Sequence, residues 1–133
     1  MATYCFATES AAYRSANDIE NRINELKSSG SSSQDSELKA FEDFAVECSI
    51  LKVAGSDNGQ NCANHGIQIF GGMGYSCDSP MEMAWRDSRI AQIYEGTNEI
   101  NKMLSIAMIL KKASKGEIDL ITKSSEILNK IKK

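Results

Sequence analysis

The sequence predicts an all-α protein, an antiparallel four-helix bundle with an additional C-terminal helix. Three observations lead there. Apolar residues recur in steps of three and four along most of the chain, the period of one helix face. A single proline, Pro80, occurs in 133 residues, and runs of β-branched and aromatic residues that favour strands are scarce. Glycine and serine gather in short stretches between the periodic segments, where they make corners.

From Cys5 to Leu26 the less polar residues are Cys5, Thr8, Ala12, Ala16, Ile19, Ile23 and Leu26. This face is rich in small side chains, which suits close approach of a second helix. SSGSSSQDS, residues 28–36, breaks the pattern as a flexible loop. A second helix is expected after Asp35 or Ser36, either of which can cap it. Its seam is Leu38, Phe41, Ala45 and Cys48, widened by Phe44 and Leu51. At GSDNG, residues 55–59, propensity alone ends that helix, and Ala63, Ile67 and Phe70 resume the spacing.

GGMGYSCDSP, residues 71–80, reads as a loop whose proline opens a short helix over MEMAWRDSRIAQIY. Trp85 and Ile90 are its candidate buried residues. Gly96 stops it, and Thr97 caps the next helix with Glu99 in the first turn, where the helix dipole favours an acid. Ile100, Met103, Leu104, Ala107 and Leu110 share one face of that helix. Lys111, Lys112 and Lys115 crowd its end, and Gly116 follows as a stop. The tail, residues 117–133, carries Ile118, Ile121, Leu128 and Ile131 in a weaker amphipathic pattern.

Length and charge narrow the function. The chain suffices for one domain with a core, not two. A formal charge of −3 supplies no basic field for nucleic acid. No run approaches the apolar length of a membrane span. MATYCFATESAAYR has neither a basic nor an apolar signal region and reads as the middle of a helix, as in a chain cut from something longer. Cys5, Cys48, Cys62 and Cys77 form no CxxC pair and have no histidine cluster beside them. Reduced thiols, no metal and a cytosol-like compartment are the expectation.

Two stretches are candidates for chemistry. In QIFGGMGY, Gly71 and Gly72 either end a helix or open its backbone to a phosphate or a flat ring. In IYEGTNEI, Glu95 stands just before a glycine, between two apolar segments. It is either a solvated loop residue or a base, since a carboxylate desolvated against Ile93 and Tyr94 is a stronger one. His65, without an acidic or nucleophilic partner at a useful spacing, reads as structural. Arg86 and Asp87 point apart on a helix as separate anchors, and Arg89 is a further surface or interface charge.

QIFGGMGYSCDSPMEMAWRDSRIAQIYEGTNEINKMLSIAMILKK, from Gln68 to Lys112, resembles the C-terminal signature of the flavin-dependent acyl-CoA dehydrogenases. That signature is a QIxGGxGY loop, a proline, an RD pair, then IYEGTNEI leading into the last bundle helix. ATESAAYRSA and ECSILKVAGSD resemble the two preceding helices, particularly in the very-long-chain branch. That branch carries further helices after the bundle. The resemblance implies a bundle domain over residues 1–116 and the start of a helical extension over 117–133. It also implies one continuous helix through GSDNG, against propensity.

The implied reaction is α,β-dehydrogenation of an acyl-CoA, as in fatty-acid β-oxidation. Glu95 falls on the family's base, which removes the α-proton while a hydride leaves the β-carbon for FAD. Gly96 lies against substrate, and Thr97, Asn98 and Glu99 contact FAD. Gln68, Ile69, Phe70, Gly71 and Gly72 reach the adenosine end of a flavin held by a neighbouring subunit. A homo-oligomer and an electron-transfer flavoprotein partner follow for the whole enzyme, in a bacterial cytoplasm or a mitochondrial matrix. Two other readings share these residues: an acyl-CoA oxidase and a non-catalytic helical assembly module. Met83 departs from the pattern where many relatives carry a base. The chain alone, without the family's N-terminal helical and β domains, is expected to bind FAD poorly and to be inactive.

Overall fold

The computed structural model describes residues 1–131, except the side chain of Ile121. Seven helices and no strand occur among them: α1 (Ala2–Ser28), α2 (Ser33–Asp43), α3 (Ala45–Phe70), α4 (Gly72–Tyr75), α5 (Pro80–Ile90), α6 (Asn98–Ser114) and α7 (Leu120–Ile131). They stack as three long rods. The first is α1; the second is α2 followed by α3; the third is α5 followed by α6. The α3 rod packs against both of the others.

Pairings along the rods fix their directions. Arg22 meets Asp43 and Asn58 meets Thr8, so α1 runs antiparallel to α2 and α3. Trp85 Nε1 donates to Asn64, Gln92 to Asp57 and Lys112 to the Asp43 carbonyl, so α5 and α6 run antiparallel to α3 in succession. The turn between α5 and α6 therefore lies opposite the middle of α3.

GSDNG is helical: α3 passes through it without a break. The resemblance foresaw this, and the local reading of a break is overturned. Tertiary partners outweigh the poor propensity. Asn58 donates to Thr8 Oγ1 at 2.8 Å on one side, and Ser56 and Asp57 bind Asn98 on the other. The irregularity lies instead at Phe44 (φ −101°), between α2 and α3. There the Asp43 carbonyl accepts from the Lys112 ammonium at 2.6 Å.

Other expectations shift by small amounts. α2 begins at Ser33, earlier than expected, because Ser32 caps it. The Ser32 hydroxyl accepts from the Asp35 amide at 3.1 Å and donates to the Asp35 carboxylate at 2.7 Å. Its buried residues are Ser36 and Ala40, while Leu38 and Phe41 are exposed. Within the expected loop 71–80, one helical turn forms as α4. Trp85 and Ile90 are exposed rather than buried.

The face that α6 turns to α3 differs most from expectation. Asn98, Asn101 and Ser105 are its buried residues. Ile100, Met103, Leu104 and Leu110 are exposed. The Thr97 cap is as expected, its hydroxyl accepting from the Ile100 amide at 3.3 Å, and Gly116 follows α6 with φ +77°. Every described side chain of α7 is exposed, and the last two residues of the expected tail lie outside the described residues.

Candidate functional site

The turn that links α5 to α6 has an unusual backbone. Glu95 has φ +53° and is, among the described residues, the one non-glycine in that region; Gly96 follows at +83°. A side chain is disfavoured there, and such outliers persist where surrounding contacts over-determine them. Those contacts come from one face of α3. The Lys52 ammonium donates to the Gly96 carbonyl and to Asn98 Oδ1, both at 2.8 Å. Asn98 Nδ2 donates to Ser56 Oγ and to Asp57 Oδ1, both at 2.8 Å. Gln92 Nε2 donates to Asp57 Oδ1 at 2.7 Å.

From the α6 side, Asn101 Nδ2 donates to the Gly96 carbonyl at 2.9 Å and to the Thr97 carbonyl at 3.2 Å. The turn is thus held from two helices. Asn98 is only 3% exposed, with both side-chain atoms engaged by α3.

Beside the turn lies an open cleft of about 340 Å³, lined by Glu95 and Tyr94 from the turn, Ser88 and Ala91 before it, and Leu51, Lys52, Gly55, Ser56 and Gly59 from α3. That volume is at the small end of ligand sites. At Gly59 no atom lies within 4 Å of where a Cβ would stand, whereas at Gly55 a Cβ would touch the Thr8 side chain of α1 at 3.6 Å. The stretch that looks like a helix breaker thus lines the cleft with Gly55 and Gly59 and supplies two polar anchors, Ser56 and Asp57, for the turn.

The second candidate group sits elsewhere. Gln68, Ile69 and Phe70 end α3, Gly71 turns with φ +60° and Gly72 opens α4; all five are exposed. No atom lies within 4 Å of where a Cβ would stand at Gly71 or Gly72, so this backbone is open to close approach. Eleven residues of helix separate Asp57 from Gln68, about 16 Å along the α3 axis. The two groups are therefore parts of an extended surface and not of one pocket.

Thr97 and Glu99 lie at the first turn of α6. The Glu99 carboxyl is held below its ordinary range, first by its own backbone amide and then by the Thr97 hydroxyl. That keeps an anion at the helix N-terminus, as the dipole favours. His65 is exposed on α3. Arg86 pairs with Glu82, and Arg89 Nη1 donates to Gln92 Oε1 at 2.9 Å. All four cysteines are free.

Sequence reading missed Lys52, Ser56 and Asp57 as parts of this site. Their partners are more than 30 residues away, and a lysine on a helix carries no local sign of the carbonyl it binds. The usable signal was the crowding of polar residues and glycines where an apolar seam was expected.

A helical unit with a strained acid-bearing turn beside a cleft, and an open glycine corner further along, defines a domain built to present one face to other parts. Residues 1–110 match the profile of the family described as "Acyl-CoA dehydrogenase, C-terminal domain", and the chain belongs to that family. It is 37% identical over 127 residues to a probable acyl-CoA dehydrogenase of Bacillus subtilis (strain 168), covering 96% of this chain and 21% of that protein. It is 41% identical over 68 residues to a short-chain specific acyl-CoA dehydrogenase of Megasphaera elsdenii, covering 51% of this chain and 18% of that protein. The crystal structure of an acyl-CoA dehydrogenase complexed with FAD from Bacillus anthracis matches with a TM-score of 0.88 and 36% identity, over 98% of this chain and 22% of that one. The chain therefore spans about a fifth of the length of these relatives.

Proposed function

We propose that this chain, with the bundle over residues 1–116 and a helical extension over 117–133, supplies the catalytic base and part of the cofactor surface of an FAD-dependent acyl-CoA dehydrogenase. The observation that carries this reading is the left-handed Glu95–Gly96 pair, clamped at the mouth of a cleft. A glutamate along a helix would lie against its own turns. One on a clamped turn can enter a crevice and meet a carbon acid.

In this reading Glu95 takes the α-proton of the bound thioester, leaving the electron pair to form the α,β double bond as the β-hydrogen departs with its own pair. Gly96 keeps the wall beside the α-carbon bare. Gln68, Ile69, Phe70, Gly71 and Gly72 hold the adenosine end of FAD, a role their open backbone fits. Thr97 and Glu99 contact FAD, and Asn98, buried against α3, serves the cofactor surface by holding the turn in place. Bound FAD supplies the acceptor for the departing hydride. A homo-oligomer in which a neighbouring subunit completes the flavin site, and an electron-transfer flavoprotein as oxidant, belong to the same reading.

Anaerobic mixing of the full-length enzyme with a saturated acyl-CoA, followed at the visible flavin band, tests it. Wild type is expected to bleach and Glu95→Gln to stay oxidised. Equal bleaching in both would move the base to another residue, and none in either would remove the dehydrogenase reading.

A further inference from the structure

The clamp on the Glu95 turn contains one cation whose position its own helix does not require. Lys52 stands on α3, 44 positions from the carbonyl it binds, and lines the same cleft as Glu95. We propose that Lys52 is the positioning residue of the base: by fixing the Gly96 carbonyl it sets the direction in which the Glu95 carboxylate enters the cleft. The proposal rests on the reading of Glu95 as the base.

The reasoning is conformational. Gly96 follows Glu95 directly and has no Cβ to restrict it, so by itself it allows the turn many backbone states. Glu95, with a side chain, favours states with negative φ. The observed pair, at +53° and +83°, therefore has to be held through contacts on neighbouring atoms. The Gly96 carbonyl is where they meet, accepting from Lys52 Nζ at 2.8 Å and from Asn101 Nδ2 at 2.9 Å. The lysine bond is charge-assisted and the stronger type of the two. The same ammonium also binds Asn98 Oδ1 at 2.8 Å, which ties the first residue of α6 to the same point on α3. One side chain thus holds both ends of the segment that follows the base.

Ser56 and Asp57 hold Asn98 and Gln92, outside the Glu95–Gly96 pair. Loss of Lys52 would leave those anchors intact, so the turn would stay docked while the direction of its acid loosened. A turn that is docked but misdirected binds substrate normally and transfers the proton slowly. That signature separates positioning from packing.

The experiment uses the full-length FAD-loaded enzyme, mixed anaerobically with a saturated acyl-CoA and with its α-deuterated form. Lys52→Met is expected to slow flavin bleaching tenfold or more, to raise the α-deuterium isotope effect, and to leave half-saturation by acyl-CoA and flavin content as in wild type. Lys52→Arg, which keeps a cationic donor, is expected to recover most of the rate. A wild-type rate in Lys52→Met overturns the proposal. Parallel loss of binding and rate, or no recovery with arginine, also overturns it. If Lys52→Met fails to retain FAD, Lys52→Gln, which removes the charge but keeps a polar side chain, is read by the same criteria. Absence of bleaching in the wild type is a different result: it removes the dehydrogenase reading, and this proposal with it.

Discussion

Glu95 and Gly96 occupy two left-handed backbone positions that contacts from α3 and α6 hold in place. At Gly96 the φ of +83° excludes ordinary side chains, and a Cβ there would come within 3.0 Å of Asn101 Nδ2. Gly96→Ala is expected to cost about 1–2 kcal/mol from the backbone alone, and to push Asn101 off the carbonyl it binds. Urea unfolding would read the first effect as a lower midpoint at unchanged slope. An unchanged midpoint would mean that the turn is not held as described. Cys62 is a quieter case. Burial, then contact with the Cys5 thiol, pushes its thiol up, which suits a packed thiol better than a reactive one.

At the scale of elements, the α1–α2 hairpin is tied at Asp43. Its carboxylate accepts from Arg22 Nε at 3.0 Å and pairs with Lys39 Nζ at 3.3 Å. Burial pushes the Asp43 carboxyl up, but the two cations together outweigh it and hold the group below its ordinary range. A carboxyl lowered in the folded state stabilises the fold above its unfolded value, about 3.9, and that contribution disappears as pH falls through the folded value. Helix content followed during acid titration should fall in this window, and Asp43→Asn should lower stability at neutral pH while flattening the acid limb. An identical acid limb in the variant would show that Asp43 is not the titrating link. The other pair across the hairpin, Lys27 with Glu37 at 3.9 Å, is exposed on both sides and contributes little.

Helix periodicity was legible in the sequence; its partners were less so. The three-and-four spacing located α1 and α6, Pro80 marked the start of α5, and Thr97 and Gly116 marked the ends of α6 from local chemistry alone. The direction of each face was misread where polar residues do the packing. Asn98, Asn101 and Ser105 are the buried residues of α6: Asn98 bonds to α3, while Asn101 and Ser105 satisfy themselves on the carbonyls of Gly96, Thr97 and Asn101, and the apolar stripe of α6 is left outward. Leu38 and Phe41 are exposed for a related reason: Ser36 and Ala40 are the residues of α2 that are buried.

The whole molecule exposes 9569 Å² of surface, against about 6,900 Å² for a typical folded monomer of this mass. Large apolar side chains are among the exposed ones, with Phe6, Tyr13 and Met103 each 72% exposed. A surface of that kind belongs against other protein. The isolated 133-residue chain is therefore expected to self-associate or to bind an apolar dye, and to show no stoichiometric quenching when titrated into FAD. Light scattering, dye fluorescence and flavin fluorescence check this together. A monodisperse, dye-silent chain that takes up one FAD tightly would contradict it.

The sequence by itself determined the helical class, the family, and the two stretches where an acid and a glycine corner break the helical pattern. These are local or contiguous properties, set by side-chain period, cap chemistry and an unbroken motif. Only the tertiary structure decided that GSDNG stays helical, that a polar face of α6 is the buried one, and that Lys52, Ser56 and Asp57 grip the Glu95 turn. Each of those depends on packing or hydrogen bonds between residues far apart in the chain, whose partners exist only once the rods have packed.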